Sequence, residues 1–81
     1  MNNQKQIDIR KILKETFLKS KIPKNISKLK MGDIKEWDSL GNFNLLLSIE
    51  DAFNIKFSIK EISEIKSIKS LEQHLKKKNE R

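Results

Sequence analysis

Asp38-Ser39-Leu40, framed by Trp37 and Gly41, puts a hydroxyl at the head of a long apolar run. The run from Leu40 to Phe53 contains no proline and reads as a helix, which Asp38 or Ser39 can cap by accepting hydrogen bonds from its first free backbone N–H groups. A hydroxyl at that point is presented rather than buried. An anionic group joined to the Ser39 oxygen would lie at the positive end of the helix dipole. Nucleophilic catalysis by Ser39 would require an orienting base and an oxyanion site. Asp38 is adjacent in sequence, but no histidine or lysine is implied within hydrogen-bond reach. His74, the single histidine, has no cysteine or second histidine to share a metal with and reads as a surface residue on the last helix. Neither a catalytic residue nor a metal site is expected, and the chain does not read as an enzyme.

The elements that would position Ser39 follow from apolar spacing. Ile9, Ile12, Leu13 and Phe17 keep one helical face, which predicts a first helix from about Gln4 to Lys19. Pro23 ends helical potential, so residues 20–37 read as a long connection. Ile22, Ile26, Leu29, Met31, Ile34 and Trp37 recur through it as apolar anchors that would wrap it on the bundle, with a short helical turn near Asn25 to Lys28. In the second helix, about Ser39 to Phe53, a spacing of 100° per residue puts Leu45, Leu46, Ile49, Ala52 and Phe53 on one broad core arc. Leu40, Phe43 and Leu47 fall on a second arc, an apolar patch beside Ser39 rimmed by acids, which either serves as a contact surface or is covered by a neighbouring segment. Ser58-Ile59-Lys60-Glu61 matches a capping box for a brief third helix to about Ile65. Ser67 or Ser70 would cap a fourth, with Ile68, Leu71 and Leu75 as its buried stripe. The expected fold is all-α: a four-helix bundle of three longer helices and one short helix, forming a single domain over residues 1–81.

An 81-residue chain has room for a modest core and little space for a water-excluding catalytic cleft. Without cysteine it must hold together by packing alone, which suits a reducing compartment. The opening residues lack an apolar signal region and no segment is long enough to span a bilayer, so a cytoplasmic protein without stable membrane association is expected. The net charge of +7 is unevenly placed: residues 1–30 carry nine basic and two acidic residues, 31–55 one and five, and 56–81 eight and four. The Ser39 segment is therefore an acidic island in a basic chain, the opposite of what a helix approaching DNA phosphates needs. Lys76-Lys77-Lys78 reads as a solvated helix end.

Trp37-Asp38-Ser39-Leu40-Gly41, then Asn44-Leu45-Leu46, then Ile49-Glu50-Asp51-Ala52-Phe53, resembles the modification site and second helix of acyl carrier proteins. The resemblance spans roughly residues 5 to 77 and adds the family order of helix, long loop, long helix and two later helices. It implies that Ser39, flanked by Asp38 and Leu40, carries 4'-phosphopantetheine donated by coenzyme A, and that an acyl or aminoacyl group rides on it as a thioester. It also implies a phosphopantetheinyl transferase, a loading enzyme and a downstream acyltransferase or synthase as partners. These would dock on Leu40, Phe43, Leu47, Glu50 and Asp51 of a monomer that binds no nucleic acid. In the family, the carboxylate matched by Asp38 helps place metal at the transferase interface; helix capping is the alternative role. Gly41, Asn44 and Ala52 stand where fatty-acid-synthesis carriers often have acids. Trp37 and Gly41 look more like specialised stand-alone carriers, such as those of D-alanyl transfer, polyketide or peptide assembly, or surface-polysaccharide modification. Two other readings compete: a small basic helical nucleic-acid-binding module using the outer lysines, and a carrier-fold interaction protein that is not modified.

Overall fold

Four α-helices and no strand make up the described residues, 4–79, of the computed structural model: α1 Gln4–Thr16, α2 Ser39–Phe53, α3 Ile59–Glu64 and α4 Ile68–Asn79. Ile9, Ile12, Leu13 and Phe17 are all buried, as their spacing predicts, and pack α1 against α2 through Leu45, Leu46 and Ile49. Ile68, Leu71 and Leu75 close the same core from α4.

α1 stops three residues short of the expected Lys19. The Lys19 N–H donates to Glu36 Oε1 at 2.9 Å and the Ser20 hydroxyl to the same oxygen at 2.8 Å, so a distant carboxylate takes up donors of the departing chain. The long connection is anchored as its apolar residues predict, with Ile22, Ile26, Ile34 and Trp37 buried and Leu29 and Met31 packed against the core. The expected helical turn is a single hydrogen-bonded turn, Leu29 N–H to Ile26 C=O at 3.0 Å, because Asn25 Oδ1 accepts from both the backbone and the hydroxyl of Ser27. A lone antiparallel bridge between Lys30 and Ser67 ties the connection to the α3–α4 linker.

The caps are explicit. Asp38, in extended conformation, accepts the Gly41 N–H at 2.8 Å and is the N-cap of α2, while Asn54 ends that helix in the left-handed region. Ser58 and Glu61 form the reciprocal capping box of α3. At α4 the Ser67 hydroxyl accepts the Ser70 N–H and the Ser70 hydroxyl accepts the Ser67 N–H, so both serines act.

Several expectations are corrected. Ala52 is exposed rather than in the core, at the edge of the buried arc on a surface hollow shared with Ile12 and Ser48, whereas Phe53, though only partly buried, packs against the core as expected. His74 is less open than a surface residue is expected to be: its side chain is 17% exposed, with Nδ1 2.9 Å from the Ser70 carbonyl and Nε2 3.6 Å from Glu64 Oε1. Lys78 is half-buried, its ammonium 3.2 Å from Glu61 and over the Phe57 ring, whereas Lys76 and Lys77 are exposed.

Candidate functional site at the start of α2

Ser39 is the first residue of α2 and is exposed. The duty of capping falls to the Asp38 carboxylate, which leaves the Ser39 hydroxyl outside the cap. Leu40 follows with 68% of its surface exposed, and Phe43 and Leu47 continue along the helix at 44% and 45%. The second arc is thus an open apolar ridge that begins beside Ser39 and descends α2.

Beneath the ridge the helix start is fixed by residues that pattern reading passed over. Asn42 is 6% exposed and accepts the Trp37 Nε1–H on Oδ1 at 2.9 Å while donating its amide to the Ile65 carbonyl at 2.8 Å. One buried side chain therefore binds the residue before the cap to the end of α3, and both its partners would be orphaned without it. Its position signals this role, since Asn42 precedes Leu45 by three residues and Ile49 by seven, inside the buried arc. Trp37 is 1% exposed and stacks on Phe17 with ring centroids 5.9 Å apart, the packing role expected for it.

Gly41 has a spatial reason. A Cβ built there would lie 2.1 Å from the Glu36 carbonyl oxygen and 3.1 Å from the Phe17 ring, so the backbone of the connection passes where any other side chain would begin. Glu36 thereby holds the end of α1 with its carboxylate and abuts α2 with its carbonyl. A shallow hollow of about 290 Å³ opens beside Ser39, between Thr16 and Phe17 on one side and Leu40, Gly41 and Asn44 on the other.

The acidic island is more committed than its composition implies. Asp33 accepts from the ammonium and the backbone N–H of Lys30, which lower its carboxyl from its ordinary value. Glu36 and Asp38 are engaged as described, and Glu50 Oε2 accepts the Phe57 N–H at 2.7 Å, fastening the α2–α3 turn. Asp51 alone of the five acids has no such donor among the described residues and is exposed. Of the residues expected to meet partners, Leu40, Phe43, Leu47 and Asp51 lie open on α2, whereas Glu50 is half-buried and bound to the turn.

No cluster of three or more metal-ligating side chains occurs among the described residues, and none of their helices is long and apolar enough to cross a membrane. What the arrangement can do chemically is present one hydroxyl, on a helix start fixed to the core, beside an apolar contact ridge. Comparison with protein-family models, curated proteins and solved structures finds no match to this chain.

Proposed function

We propose that the chain is an acyl carrier protein that bears 4'-phosphopantetheine on Ser39 and presents an acyl or aminoacyl thioester to partner enzymes. The observation that carries this reading is the exposed Ser39 at the capped start of α2, with Asp38 before it and the open Leu40–Phe43–Leu47 ridge after it. A phosphodiester on Ser39 would gain from the helix dipole. A carrier needs no catalytic constellation of its own: the tethered thiol supplies the chemistry, and tethering raises the effective concentration of cargo at any enzyme the domain docks on. Weak, transient docking through an apolar ridge with Asp51 at its edge fits that task. The Trp37 and Gly41 setting favours a specialised stand-alone carrier over a fatty-acid-synthesis housekeeping role. A cytoplasmic monomer is part of the same proposal.

The test is intact-protein mass after incubation with coenzyme A, Mg²⁺ and a broad-specificity phosphopantetheinyl transferase, with Ser39→Ala alongside. One added phosphopantetheine on the wild type and none on the variant is expected. A folded wild-type protein left unmodified, under conditions that modify a known carrier, would overturn the reading in favour of an unmodified interaction domain.

A further inference from the structure

A hollow roomier than the one beside Ser39 lies remote from it in sequence. It is an open groove of about 690 Å³ between α1 and the connection, lined by Arg10, Lys11 and Lys14 of α1 and by Lys24, Asn25, Ile26 and Ser27 of the connection. Four cations line it, and among the described residues no carboxylate does. Glu15, the nearest acid in sequence to Lys14, lies on a different face and lines the hollow that holds Ser48 and Asp51.

Arg10 distinguishes this groove from a chance gathering of surface lysines. Its Nε–H donates to the Pro23 carbonyl at 2.8 Å and Nη2 to the Ile22 carbonyl at 3.1 Å, so backbone acceptors fix the guanidinium without neutralising it. Guanidinium carries five N–H donors, and the remainder of the fork is left to meet an oxyanion at no further ordering cost. Fixed guanidinium with mobile ammonium groups on both walls is donor chemistry suited to phosphate oxygens. A concave site also admits a small soluble anion that inserts into it, which a flat anionic surface cannot do.

We infer that the groove between α1 and the connection, with Arg10, Lys11, Lys14 and Lys24 as its cations, binds a soluble phosphate-bearing ligand. This inference is independent of the state of Ser39.

Inorganic pyrophosphate is the probe, titrated into the full chain while backbone amide and Arg10 Nε–H resonances are followed by NMR. Saturable shifts concentrated at Asn25, Ile26, Ser27 and Arg10 are expected. The exposed pair Lys14→Glu/Lys24→Glu is expected to weaken binding by at least about tenfold, since two charges beside a bound anion are reversed. The exposed pair Lys76→Glu/Lys77→Glu on α4 makes the same change in net charge and is expected to leave binding within about twofold. Circular dichroism checks that both variants keep the wild-type helix content, and Arg10 is left intact because it fastens the connection. Equal weakening by the two pairs, shifts spread over all lysine-bearing faces, or no saturation would overturn the inference. Binding to phosphatidylglycerol vesicles without saturable pyrophosphate binding would overturn it too, and would make the face a membrane contact instead.

Discussion

Leu46 and Leu47 are neighbours with the same side chain, yet Leu46 is 1% exposed and Leu47 45%. The inward face of α2 carries Asn42, Leu45, Leu46 and Ile49; the outward face carries Leu40, Phe43 and Leu47. Hydrophobicity alone does not separate them. The inward face is closed by α1, by Trp37 and by Ile65 and Ile68, and it accommodates a polar residue because both ends of that amide are partnered. The outward face stays open among the described residues although it is no less apolar. Burial is thus decided by what arrives to cover a surface, and an apolar face that folding does not use is available for contact with another molecule.

The comparison can be broken most directly at its centre. Leu46→Ala is expected to cost about 2–5 kcal/mol in denaturant unfolding, and Leu47→Ala under about 1 kcal/mol. Equal losses would mean that the outward ridge is covered after all. A smaller effect sharpens the inward side: Asn42→Ala leaves the Trp37 N–H and the Ile65 carbonyl without partners and is expected to cost about 2–3 kcal/mol, with a shift in tryptophan fluorescence. A variant as stable as the parent would show that this amide is dispensable. The smallest effect concerns α3, which has no fully buried residue and leans on its cap as well as on the packing of Ile62. Ser58 N–H, followed by Lys78, keeps the Glu61 carboxyl below its ordinary value of 4.5. A depressed folded value means that its contribution is complete above about pH 4.5 and is lost as pH falls through the folded value. Acid titration of stability should therefore show Glu61→Gln losing less than wild type below that pH, by under about 1 kcal/mol for so accessible a group.

Periodicity made much of the bundle legible. Ile9, Ile12, Leu13 and Phe17 announced α1, and the two arcs of α2 were separable because Glu50 divides them on one side and Asn44, Ser48 and Asp51 on the other. Ser39 and its neighbours were legible from local order along the chain. The residues that fix the site were not, because they act through single hydrogen bonds between distant segments, which have no period. Glu36 reaches back to Lys19 and Ser20, and Asn42 reaches forward to Ile65. Glu50 read as a free docking acid because nothing in its own helix betrays the Phe57 N–H that it accepts. The Arg10 groove was hidden for the same reason, since Lys24 meets α1 only once the connection is folded back.

Glu36 grips the end of α1 with its side chain while its carbonyl fills the place a methyl would need at Gly41. Together with the Trp37–Phe17 stack, this one residue ties the start of α2 to the chain that leaves α1. A flexible arm swung from Ser39 would turn about a stationary pivot. On the proposed reading, the reach of its far end would be bounded by the length of the arm, measured from a helix start that these contacts hold to the core.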